Sequence, residues 1–320
     1  MEVRKKIFMS CVATIMFVAL LPATQVWGAS EGNITPVDVY YLTQSIDDSL
    51  VSMYGLTYEF KRKKLSSNIR PRNSYQQLLS LADEFNFLHP GAIDESKLGE
   101  ARRIDLVNVK PSDLFAVFSL IKEYLVSAGH YTEYHGERTP KVPSDVNYML
   151  RQISHHHLEI AKQRNIQTNW STPAQVYDAI MNDILPVVHQ LVEDAGTLHT
   201  HYEFPIQPVR GIKPLNITRL LQHIYANLSG HYVKKINYEP LILIKANDCD
   251  EVTPGDSFDL IKAISAELIA MAGKTTLDSE TAAKYGRWKQ SKSEIVTGDV
   301  FRLLQYVYIL SEKMLESKTQ

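Results

Sequence analysis

Six side chains in two stretches, His130, Glu133 and His135 and then His199, His201 and Glu203, offer the imidazole and carboxylate donors that zinc, copper or nickel accepts. All 11 histidines fall between His89 and His231, so this ligand chemistry is concentrated in the middle of the chain. The spacing matches no established site of the HExxH kind. Tyr58-Glu59 and Tyr202-Glu203 also occupy corresponding stretches, so descent from a common repeat accounts for part of the pattern. The run His155-His156-His157 offers less than it suggests. Successive helical residues are turned by about 100°, which puts His157 on an apolar stripe, His155 opposite it and His156 between. The expectation is one hydrogen-bonded core histidine and two surface ones, with no shared ligand sphere.

A second candidate chemistry is cationic. Lys61, Arg62, Lys63 and Lys64, with Arg287, Lys289 and Lys292, are the strongest basic patches in a chain of net charge −2. Such clusters suit an anionic or acidic-protein partner, and they serve equally as a solvated loop surface. The balance as a whole gives no sign of a nucleic-acid binder. Signatures of covalent and phosphoryl chemistry are missing, for the sequence has no GxSxG, P-loop or CxxC. Cys249 lies between Asp248 and Asp250, whose charges disfavour a thiolate.

The elements that must position these residues announce themselves by a recurring start. Pro36, Pro111, Pro173 and Pro254 open one set of segments; Pro71, Pro143, Pro214 and Thr297 open a second set that alternates with the first. All eight starts carry Asp, Asn or Gln two residues later (Asp38, Asn73, Asp113, Asp145, Gln175, Asn216, Asp256, Asp299). Proline suits the first helical position, where the missing N–H costs nothing, and an acid or amide at the third position satisfies an orphan donor and favours the helix dipole. Apolar stripes follow at helical spacing: Ile46, Ile121 and Ile264 with Leu50, Leu125 and Leu268 in the first set, and Leu78, Leu150, Leu221 and Leu304 with Leu81, Ile153, Ile224 and Val307 in the second. Gly55, Gly129, Gly196 and Gly273 stand where the first set should stop. The third copy is four residues longer, close to one turn, and Pro186 should kink it.

This predicts an all-α fold of eight helices, arranged as four tandem antiparallel helical-hairpin repeats with long connecting loops, either a short α-solenoid or two four-helix bundles. Antiparallel hairpins would gather the four intra-hairpin loops, and with them the basic residues, on one rim. Leu241 to Ile244 reads as a short strand strapped over the helices, and Ile104 to Val109 alternates in the same way.

Ahead of the repeats, Arg4, Lys5 and Lys6 precede an apolar run from Ile7 to Leu21 that is too short to span a bilayer, and small residues follow at Gly28 and Ala29. Residues 1–28 read as a signal peptide, 29–168 as hairpins one and two, and 169–320 as hairpins three and four, which could form one continuous domain. Removing the leader leaves Cys249 as the single cysteine, so no intramolecular disulfide can form. The sequence therefore points to an exported protein of the bacterial periplasm or exterior, without a transmembrane anchor after cleavage. Its expected role is a non-enzymatic interaction or ligand-binding module with a basic rim for a protein or anionic partner. The alternatives are a metal-binding protein using the His-bearing loops and an all-helical enzyme. No cofactor is expected beyond a divalent transition metal on those loops.

Overall fold

A computed structural model describes residues 33–57, 64–194, 209–236, 239–247, 251–273, 276 and 279–316; the leader expected at 1–28 and Cys249 lie outside them. The described chain is all-helical: α1 (Pro36–Tyr54), α2 (Pro71–Leu88), α3 (Glu95–Ala101), α4 (Pro111–Ser127), α5 (Pro143–Gln163), α6 (Pro173–Ala179), α7 (Leu185–Asp194), α8 (Pro214–Ile236), α9 (Pro254–Ala272), α10 (Ser279–Gln290) and α11 (Thr297–Glu316). Among these residues no helix is long and apolar enough to cross a membrane.

The eight long helices begin where the acid or amide marks them, seven of them at proline and α11 at Thr297, and the reason is local. The carboxylate or amide at the third position folds back to accept the backbone N–H just ahead of the helix, at 2.7 to 3.1 Å for Asp38, Asn73, Asp113, Asp145, Asn216, Asp256 and Asp299. Gln175, one methylene longer than Asn, reaches the N–H of Ser171 instead. At the far ends Gly55, Gly129 and Gly273 take positive φ, which glycine adopts without a Cβ clash. Every stripe residue named above is at most 1 % exposed. The kink expected at Pro186 is a π-helical turn over Ile180–Ile184 just ahead of it, where Leu185 N–H donates to the Ile180 carbonyl.

The helices do not pair as antiparallel hairpins. In the first bundle α1 and α2 each pack against α4 and α5, so consecutive helices lie diagonally; in the second, α6–α7 and α8 each pack against α9 and α11 in the same pattern. All four helices of the first bundle also point one way. Pro36, Pro71, Pro111 and Pro143, the four starts, line one small apolar hollow. In the second bundle Thr218 meets Ser257 near both starts (3.1 Å), Asp183 meets Lys262 at mid-helix (2.7 Å) and Asn227 meets Ser311 further along (3.2 Å), so these helices are parallel too.

Long connections follow directly. A helix of 17 to 19 residues is about 25–30 Å long, and a chain returning to the same end needs at least about eight extended residues. The return segments supply them, and several are built on. That after α2 carries α3 and a 3₁₀ turn at Leu106–Asn108, with Leu98, Ala101 and Leu106 buried in the core. The strap expected at Leu241–Ile244 is a single antiparallel bridge, Ser66 to Leu243, between two return segments. The stretch Ile104–Val109 is the 3₁₀ turn rather than extended chain.

The two bundles meet head to tail. Asn73, at the start of α2, bonds Glu267 near the end of α9, while Gln77 bonds Asp259 near the start of α9 (both 2.8 Å). Because the second bundle runs the other way, the chain leaves α5 close to where α6 must begin, and the short segment 164–172 suffices.

Candidate functional site

The straps place the first candidate ligands in the open. His130, Glu133 and His135 are exposed on the return segment after α4. That segment is pinned along α1 by Ser49 and Ser45, whose hydroxyls accept the N–H groups of Thr132 (2.8 Å) and Tyr134 (2.9 Å). Tyr41 stacks on Tyr134 with centroids 4.7 Å apart. Among the described residues no three His, Cys, Asp or Glu side chains are grouped to hold a metal ion. His199, His201 and Glu203 lie outside those residues, as do Lys61, Arg62 and Lys63.

The remaining basic candidates do not share a rim. Because the two bundles run oppositely, Lys64 beside the start of α5 and Lys292 beside the start of α11 lie at opposite ends. Lys64 pairs with Asp145 (2.7 Å), Lys289 with Asp178 (2.5 Å) and Lys292 with Asp299 (3.3 Å). Two of these carboxylates, Asp145 and Asp299, are also the helix caps. Arg287 is exposed.

The histidine run departs from expectation as well. His156 and His157 are both buried, and only His155 is partly exposed. The reason is that α5 faces two neighbours rather than one. His156 Nδ1 meets Asp47 of α1 at 2.8 Å, and His157 Nδ1 meets Glu84 of α2 at 3.2 Å. The Nε2 atoms of both rings are buried with no hydrogen-bond partner among the described residues. Each ring donates from Nδ1 to its carboxylate. Nearby, His89 is held between the hydroxyls of Tyr54 (3.3 Å) and Tyr124 (3.2 Å). Burial, with His157 and Arg164 close by, pushes its pKa down to about 4.

Polar groups gather further at the seam of the bundles. Glu267, fully buried on α9, takes Arg70 Nη1 (3.0 Å), Arg72 Nε (2.8 Å) and Asn73 Nδ2 (2.8 Å). Asp259 takes Gln77 Nε2 and Arg151 Nε, both at 2.8 Å, and Arg151 reaches Asp256 at 3.0 Å. Beside this network opens a cleft of about 490 Å³. Ser80, Asp83, Glu84 and Phe87 of α2 form one wall, Gln167 to Trp170 of the connecting segment another, and Gln175 and Phe258 close it. A narrower recess continues from it past Ser154, His155 and Arg151 to Asp259.

Aromatic faces and one carboxylate dominate this cleft. Phe87 and Trp170 meet edge to face at 5.6 Å, and Phe258 is 9 % exposed. Glu84 is 5 % exposed. Its Oε2 accepts both Ser154 Oγ (2.9 Å) and His157 Nδ1, while Oε1 takes no hydrogen bond from the described residues. No protein family, curated protein or solved structure matches this chain. The chemistry of the cleft must therefore be read from its own side chains.

Neither Glu84 nor Trp170 stands out in the sequence. Glu84 has one local signature: it lies three residues after Leu81 and four before Leu88, so it is a charge on a buried stripe. Trp170 and Phe258 carry no such mark, because the cleft exists only once the two bundles meet.

Proposed function

We propose that this chain is an exported, non-enzymatic binding module that holds a small ligand in the cleft at the seam of its two bundles. The repeated Pro-x-acid starts and the identical packing pattern support a further reading, that the bundles descend from one repeated helical unit. Export rests on the basic, then apolar, stretch from Arg4 to Leu21.

One observation carries the binding role: a cleft of about 490 Å³ with aromatic faces and converging polar groups, built on helices rather than on loops. Pockets of this size and lining suit small organic ligands, and helical walls hold them in fixed geometry. Against a hydrolytic reading, the one hydroxyl paired with the buried carboxylate, Ser154, donates to Glu84 directly and has no imidazole as its base. An anionic partner on the basic patches has less behind it, since Lys64, Lys289 and Lys292 are already paired.

The test uses the protein's own reporter. Without the leader the chain keeps two tryptophans, Trp170 and Trp288, so a Trp288→Phe variant reports on the cleft alone. Titrating it with small aromatic amines, alcohols and carboxylates should give saturable fluorescence changes for at least one class. If no class shifts the emission or raises the melting temperature, the cleft is not a binding site.

A further inference from the structure

We infer that the ligand carries a primary ammonium group on an apolar or aromatic body, received by Glu84; this rests on the cleft being the binding site. The cations around Glu84 are already matched. Arg151 lies between Asp256 and Asp259, and Arg102 contacts Asp83. His157 donates to Glu84 from Nδ1. Glu84, which lines the cleft and is 5 % exposed, thus has two donors on one oxygen and none from the described residues on the other. Leaving a buried carboxylate oxygen without a donor is costly. An ammonium at Oε1 would supply that donor, and the faces of Phe87 and Trp170 would favour it further.

The architecture itself does not call for this charge. Counting from the first residue of each helix, Glu84 on α2 corresponds to Asn227 on α8, and His157 on α5 to Ser311 on α11. Asn227 Nδ2 donates to Ser311 Oγ at 3.2 Å, so the second bundle makes the same crossing with a neutral pair. An acid at this position in the first bundle alone, on the wall of the cleft, is explained by what the cleft receives.

Three probes of one shape separate the outcomes on the Trp288→Phe protein: 2-phenylethylamine, 2-phenylethanol and 3-phenylpropionate. The amine should bind at least about tenfold tighter than the alcohol, with the acid weakest. Glu84→Gln should bring amine and alcohol to within about threefold of each other. Ser80→Lys, at a half-buried position on the cleft wall one turn before Glu84, adds a positive charge beside the carboxylate while leaving Glu84 itself in place. It should weaken the amine and strengthen the acid, and it keeps the test decisive if Glu84→Gln unfolds. Alcohol or acid binding as tightly as the amine, or an amine preference that survives both substitutions, overturns the assignment and leaves a binding cleft of other specificity. Failure of all three probes to bind overturns it too, while the wider panel of compounds decides separately whether the cleft binds anything.

Discussion

At matching depths the two bundles solve the same crossing with different chemistry. In the first, α5 offers His156 to Asp47 and His157 to Glu84; in the second, α11 offers Leu310 to an apolar interior and Ser311 to Asn227. Both arrangements close a parallel four-helix core, so the charges are not needed to build one. They occur in the bundle whose α2 forms one wall of the cleft, beside the seam where Glu267, Asp259 and Arg151 are also buried. Burying paired charges gains little stability over hydrocarbon. The contrast therefore separates what the scaffold requires, the caps and stripes shared by both bundles, from what the first bundle has added.

The largest effect should come from the seam. Glu267→Ala removes the buried carboxylate that Arg70, Arg72 and Asn73 share, and breaking a buried pair costs about 3–5 kcal/mol. Asn227→Ala, which breaks the neutral crossing in the second bundle, should cost only about 1 kcal/mol. Denaturant titration of both variants compares them, and similar losses would erase the distinction between the two regions.

Acid should expose the same asymmetry. His89 sits in the first bundle with a folded pKa of about 4 against 6.5. Between those values the unfolded chain binds the extra proton, so stability rises with pH across this window, and the contribution is lost as pH falls from 6.5 toward 4. Integrated, that is about 3 kcal/mol. His89→Phe should flatten the melting temperature across the window, at a modest cost near neutral pH from the hydroxyls of Tyr54 and Tyr124. An unchanged slope would mean that another group titrates there.

The second bundle also buries a cation away from the seam. Arg302 is fully buried on α11, and its guanidinium takes no hydrogen bond among the described residues. Here removal of charge should help, so Arg302→Met is expected to raise stability by roughly 1–3 kcal/mol. A loss of that size would show the guanidinium to be satisfied. The smallest effect belongs to the surface: Lys64→Ala, removing a pair whose lysine is 47 % exposed, should cost less than about 1 kcal/mol by denaturant titration.

Why helix starts were legible and helix directions were not follows from the range of the forces. A Pro-x-Asp cap is closed within one turn, and Ile46 or Leu150 reveals its burial by spacing to near neighbours. Nothing local states whether the helix after Gly55 returns antiparallel or is carried back to begin beside Pro36. The unusual length of the connections was the one visible trace, and it is explained by parallel helices rather than by loops gathered on a rim. The cleft was illegible for the same reason. Glu84, Trp170 and Phe258 are far apart in sequence and meet only where two oppositely directed bundles touch. The reading of His156 as a surface residue failed because α5 buries two faces.

Everything placed at the seam depends on the helices of a bundle sharing one direction. Spin labels on Lys110→Cys and Val142→Cys, exposed positions at the starts of α4 and α5, test this in a Cys249→Ser background by pulsed dipolar spectroscopy. Parallel helices put the labels roughly 20 Å apart, across one bundle. A separation beyond roughly 30 Å, a helix length further along, would restore the antiparallel hairpin and remove the cleft with it.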